Sequence, residues 1–178
     1  MSNFLDDEFQ QMDEREFEEE AELGQAVSVE DPIRSLRLGG MVLVDRETTI
    51  ARVIELFQVK GVACVLVTEG DKLVGIFTER DVVMKVTGKG LNLSRVRVDS
   101  YMTPSPEVLK IDDPIAFALN RMTDGGYRHV PIVDDRGKPV ALVAILDIVE
   151  HLASYYSEEV LNLPPEPHRK PQERPEGG

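Results

Sequence analysis

This chain carries one pattern twice. The stretch GVACVLVTEGDKLVGIFTERDVV from Gly61 returns as GYRHVPIVDDRGKPVALVAILDIV from Gly126. Ile50 matches Ile115, Gly61 matches Gly126 and Val65 matches Val130 at a spacing of 65 residues. Lys72 matches Lys138, Val74 matches Val140 and Asp81 matches Asp147 at a spacing of 66. One extra residue in the second turn accounts for the change, and turns tolerate insertions best. A repeat of this length restricts the fold to copies of one unit that cannot bury its apolar face alone.

Each copy reads as helix, strand, turn, strand, helix. Between Asp45 and Lys60 the apolar residues Ile50, Val53, Ile54 and Phe57 follow helical spacing, with Thr48 or Thr49 able to cap the start. Val62 to Val67 is a short run rich in β-branched residues, which predicts a buried strand. Glu69-Gly70-Asp71 is a turn signal, and Leu73 to Phe77 returns as a second strand. Thr78 then caps a helix whose first turn holds Glu79 and Asp81. In the second copy Pro114 opens a helix, Asp124-Gly125-Gly126 ends it, and Asp134 to Gly137 makes the hairpin turn. The final helix runs through Ile148, Leu152 and Tyr155. A two-stranded unit is too small to stand alone. The expectation is therefore an α/β (α+β) fold. Its two repeats, each helix-strand-strand-helix, are related by a pseudo-twofold and packed sheet to sheet, with two equivalent clefts.

The flanks differ from the repeats. Residues 1–22 hold ten acidic side chains against Arg15 alone, so −9 of the formal net charge of −13 lies there. Dense like charge opposes compaction, so residues 1–30 are read as an acidic, disordered arm. Phe4, Leu5, Phe9, Met12 and Phe17 leave open a partner-binding helix within it. Residues 31–92 form the first repeat, and 93–158 the connector and second repeat. Residues 159–178, with five prolines from Pro164 on, are expected to be a disordered tail. Acid repels phosphate backbones, and no basic stripe with stacking aromatics appears, so nucleic acid is not an expected partner. No 18-residue apolar run and no signal peptide are present, which gives a cytoplasmic expectation without a membrane partner. Cys64 is the only cysteine, so neither a disulfide framework nor a Cys-based zinc site is expected. No nucleophile, base and orienting group fall into a set, so the chain is not expected to be an enzyme.

One segment suggests a ligand. In Gly75-Ile76-Phe77-Thr78-Glu79-Arg80-Asp81 a strand feeds a helix start, where unpaired N–H groups attract anions. Gly75 permits close backbone approach, the Thr78 hydroxyl can donate to a phosphate oxygen, and Asp81 can accept two hydrogen bonds from a diol. The local alternative is plainer, with Thr78 as helix cap and Asp81 as first-turn acid.

The wider pattern resembles the paired cystathionine-β-synthase (CBS) domain module, also called a Bateman module, over roughly residues 32–156. The marks are the repeat itself, the Gly75 to Asp81 segment, Tyr101-Met102-Thr103-Pro104, and Arg128-His129-Val130-Pro131-Ile132-Val133. The resemblance implies a stand-alone bacterial-type module that binds an adenine nucleotide (AMP, ADP or ATP) and no catalytic cofactor. It implies that Asp81 holds ribose and Thr78 a phosphate, with Gly75, Ile76, Arg80 and Thr103 beside them and Arg128 and His129 near the central cleft. It also implies a homodimer. In the second copy Ala141 and Ala144 stand where Gly and Thr are expected, while Asp147 is kept. One good site, around Asp81, is expected, with a second at Asp147 that is weak, empty or selective for a nucleoside. The leading functional expectation is a ligand sensor acting on an effector protein in trans; the alternative is a ligand-independent interaction scaffold.

Overall fold

The structure, a computed structural model, describes residues 29–155. The acidic residues 1–28 and the proline-rich end lie outside it.

Strand β1 (Leu43–Asp45) precedes helix α1 (Ile50–Lys60), and strands β2 (Cys64–Glu69) and β3 (Lys72–Thr78) form a hairpin. A short helix α2 (Glu79–Asp81) passes directly into a π-helical turn at Val82–Val86. After strand β4 (Thr103–Pro104) the second copy follows as α3 (Ile115–Gly125), β5 (His129–Val133), β6 (Pro139–Ala144) and α4 (Ile145–Tyr155). The two-repeat α/β architecture read from the sequence is thus observed.

The two repeats are punctuated alike. Thr49 caps α1, its hydroxyl accepting from the Arg52 N–H, and Pro114 stands at the equivalent position before α3. Gly61 (φ 63°) and Gly126 (φ 64°) end these helices in the left-handed conformation that favours glycine. Their N–H groups donate to the carbonyls of Phe57 and Met122.

The first sheet has the order β1-β2-β3-β4, with β1 parallel to β2 and the other pairs antiparallel; β5 and β6 pair antiparallel. β2 is buried on both faces, which explains its unbroken apolar run. Val65 and Val67 join Ile50, Val53, Phe57 and Phe77 in the first core, whereas Cys64 and Leu66 join Ile76 and meet Leu142 of β6. The sheets therefore pack through these small contacts, and the Leu73 N–H reaches the Gly137 carbonyl across the pair. The second core gathers Ile115, Ala118, Met122, Val130, Ile132, Val143 and Ile148.

The lead segments cross between the repeats. Ile33, ahead of the first repeat, is fully buried in the second core, while Val98, ahead of the second, is fully buried in the first. Backbone hydrogen bonds follow the same exchange. Ile33 donates to Asp113 and Val98 to Thr48; Ile115 donates to Asp31 and Ile50 to Val96. The bridges Pro32 with Pro114 and Thr49 with Arg97 complete it. Each of these pairs maps onto its counterpart by the 65-residue spacing, so the pseudo-twofold holds at the level of single hydrogen bonds.

Three details differ from the sequence reading. α1 begins at Ile50, because Leu43 to Asp45 forms β1 instead. β4 was not expected at all; it adds Thr103 and Pro104 to the edge of β3. The helix expected after Thr78 has a single α turn before the π turn, whereas its counterpart α4 spans 11 residues.

Candidate functional site

A cleft of about 520 Å³ opens between the repeats, within the range of small-molecule sites. The end of β3 and the start of α2 supply Ile76, Thr78, Glu79, Arg80 and Asp81, with Lys85 one turn further on. The connector supplies Thr103, Ser105, Pro106 and Glu107. The turn from α3 into β5 supplies Gly125, Gly126, Tyr127, Arg128 and His129. Ala63 completes the wall.

At the centre Thr78 and Asp81 hold each other. The Thr78 N–H and hydroxyl both donate to Asp81 Oδ2 at 2.8 Å, and the Asp81 N–H donates to Thr78 Oγ1 at 3.2 Å. This reciprocal cap satisfies the helix start. The Glu79 N–H donates to the Ala63 carbonyl. The anion-binding donors expected at this terminus are therefore largely engaged, and a phosphate must rely on side chains. Asp81 Oδ1 remains, 2.8 Å from Lys85 Nζ, on a side chain only 13% exposed. Lys85 also donates to the Tyr101 carbonyl at 3.1 Å and to Thr103 Oγ1 at 3.2 Å, tying the π turn to β4 and the residue pair before it.

The second repeat closes the other side. Arg80 Nη1 donates to the Gly126 carbonyl at 3.1 Å, a direct link between the copies. Tyr127 donates its hydroxyl to Glu107 Oε2 at 2.7 Å, and Arg121 Nη1 lies 3.3 Å from Glu107 Oε1. Gly125 leaves the room this requires, since a Cβ there would lie 2.0 Å from the Tyr127 ring. Burial, with the carboxylate of Glu107 beside it, pushes the Tyr127 phenol up to about 12. It stays a donor. Burial and the neighbouring Arg128 hold His129 below the ordinary histidine range, against the opposing pull of Asp147 and Glu79. Cys64 is buried behind the cleft, and its thiol is pushed up to about 12 by desolvation, so it is inert as a nucleophile near neutral pH.

Of the residues singled out in the sequence, Ile76, Thr78, Arg80, Asp81, Thr103, Arg128 and His129 converge on this cleft. Gly75 and Asp147 do not line it. The space beside Gly75 is filled by Met102, whose Sδ would lie 2.2 Å from an added Cβ. Gly75 thus admits a side chain of the connector. Asp147 Oδ2 accepts the Ala144 N–H at 2.7 Å and caps α4. Lys85, Glu107 and Tyr127 were missed. Lys85 was legible as a helical i, i+4 partner of Asp81. Glu107 and Tyr127 had no local signal, because their pairing joins segments 20 residues apart. Among the described residues no cluster of three His, Cys, Asp or Glu side chains is arranged to hold a metal ion. No helix there is long and apolar enough to cross a membrane.

This two-repeat fold, with its inter-repeat cleft, is that of a paired-domain module, and the chain belongs to the CBS domain family, whose model matches residues 33–88 and 98–154. A CBS domain-containing protein of Arabidopsis thaliana is 36% identical over 104 residues, covering 58% of this chain and 19% of the relative. The chain spans less than a fifth of the length of the first curated relatives it matches. The crystal structure of a CBS-domain containing protein from Agrobacterium tumefaciens superposes with a TM-score of 0.62 at 26% identity, over 68% of this chain and 93% of the other. A CBS domain protein of Pyrobaculum aerophilum complexed with AMP gives a TM-score of 0.61 at 23% identity, over 69% and 98%.

Proposed function

We propose that this chain is a non-catalytic regulatory module that binds an adenine nucleotide in the cleft between its repeats and acts on an effector protein in trans. The convergence of Thr78, Asp81, Arg80, Arg128 and His129 on one cleft carries this reading. Asp81 offers carboxylate oxygens to a ribose diol, the Thr78 hydroxyl can turn from Asp81 to a phosphate, and Arg128 supplies the charge. The AMP complex of the Pyrobaculum aerophilum protein, which shares the fold, supports the choice of ligand. Because the walls come from both repeats, occupancy changes how the repeats are held together. Such a change becomes a signal when the ligand prefers one arrangement.

The same proposal includes a cytoplasmic homodimer. Val83 (65% exposed) and Met84 (71%) lie beyond α2, and Leu146 (65%) and Val149 (50%) lie on α4, with Val149 at the place equivalent to Val83. This apolar pair of faces suits an isologous contact.

The direct test is thermal unfolding with AMP, ADP and ATP, for the native chain and Asp81→Ala. A ligand at about 100 times its Kd adds about 2.7 kcal/mol, a rise of roughly 5–10 °C at this size. The ligand-induced shift is compared, not the starting midpoint, since Asp81 also caps α2. A shift in the native chain that Asp81→Ala lacks is the expected result. No shift with any nucleotide favours the ligand-independent scaffold, for which the self-satisfied Thr78–Asp81 cap is the structural argument.

A further inference from the structure

We infer that the cleft takes a nucleoside monophosphate and turns away di- and triphosphates, with Glu107 as the residue that sets the limit. The inference rests on the nucleotide-binding reading above and adds the phosphate count.

Three cations line the cleft, namely Arg80, Lys85 and Arg128, against three carboxylates, Glu79, Asp81 and Glu107. The ammonium of Lys85 has three N–H donors, and it meets Asp81, the Tyr101 carbonyl and Thr103. It has none left for a phosphate. Arg80 is engaged with the Gly126 carbonyl. The guanidinium of Arg128, alone among these cations, makes no hydrogen bond or ion pair within the described residues. His129 is held toward its neutral form. One planar guanidinium matches one phosphate in a two-point contact, and Arg80, with one of its five N–H donors given to the Gly126 carbonyl, can meet a second phosphate only from that anchored position.

The carboxylates make extension worse. Glu79 on the first repeat and Glu107 on the connector flank the cleft on different walls. Glu107, about half exposed, is oriented by Tyr127 and Arg121, which contact its two oxygens. Each added phosphate brings further negative charge into a partly enclosed space that already contains these acids, where charges are screened less than in bulk water.

The test is calorimetric titration of the full chain and of Glu107→Gln with AMP, ADP and ATP, with and without Mg²⁺. Glutamine keeps the shape and can still accept from Tyr127. The native chain is expected to bind AMP at least about tenfold more tightly than Mg²⁺-free ATP. Glu107→Gln is expected to narrow that gap severalfold, mainly by improving ATP, with AMP changed less than about threefold. ATP binding as tightly as AMP in the native chain would overturn the inference and leave the nucleotide reading standing. A tenfold gap that Glu107→Gln leaves intact would remove Glu107 as its cause. Mg²⁺-dependent ATP binding that matches AMP and weakens in Glu107→Gln would also overturn it, since Glu107 would then hold the cation. Failure of every nucleotide to bind would sink this inference together with the proposed function.

Discussion

Thr78 stands at the meeting point of two demands. Its hydroxyl caps α2 through Asp81, and in the proposed complex the same hydroxyl faces a phosphate. Thr78→Ala should therefore lower stability by about 1 kcal/mol, as loss of a helix cap does, and weaken AMP binding as well. Thr78→Ser, which keeps the hydroxyl, should restore both. Denaturant unfolding and titration of the two variants check this. His129 makes a separate prediction. Its pKa is lower in the folded chain than in the unfolded one, so the unfolded state binds the extra proton first. Stability is unaffected above the unfolded value of about 6.5 and is lost as pH falls below it. A bound phosphate reverses the sign, because it favours the protonated ring. AMP should thus bind more tightly at pH 6 than at pH 8 while the free protein becomes less stable. His129→Gln should flatten both trends, as read by titration and by unfolding at the two pH values.

At the scale of elements, the crossed lead segments are what the repeat pattern concealed. Ile33 precedes the first repeat in sequence but completes the core of the second. Ile33→Ala should cost about 2–5 kcal/mol, as truncation of a buried isoleucine does. Hydrogen exchange should show the loosening in β5, β6 and α3 before β2 and β3. Loosening confined to the first repeat would contradict the exchange. The sequence made the hairpins and flanking helices legible because their periodicity, glycine stops and turn residues are local. It did not disclose β1 or β4, since strands of three and two residues carry too little pattern. Nor did it disclose the crossing, because a buried Ile looks the same whichever core receives it. The candidate site followed the same rule. Thr78, Asp81, Arg128 and His129 lie in recognisable motifs, whereas the Glu107–Tyr127 pair exists only once the connector is folded against the α3–β5 turn. Gly75 was legible as a residue needing space but not as one needing it for Met102.

For the whole molecule, the pseudo-twofold relates two helix starts, and only the first carries the proposed ligand chemistry. At a spacing of 66 residues Thr78, Glu79, Arg80 and Lys85 correspond to Ala144, Ile145, Leu146 and His151. Only Asp147 persists, and it holds the Ala144 N–H. The second helix start thus keeps the part of the motif that caps a helix and loses the hydroxyl and the adjacent guanidinium. Backbone symmetry survives because the repeated hydrogen bonds and glycine stops need no particular ligand chemistry. The expected stoichiometry is consequently one nucleotide per chain, measured by calorimetry on protein of known concentration. Asp147→Ala should leave stoichiometry and affinity unchanged and lower only the unfolding midpoint, whereas Asp81→Ala should abolish binding. Two equivalent nucleotides per chain would mean that the carboxylate and the cleft shape suffice on their own, and that the Thr78 hydroxyl and Arg80 add nothing to binding.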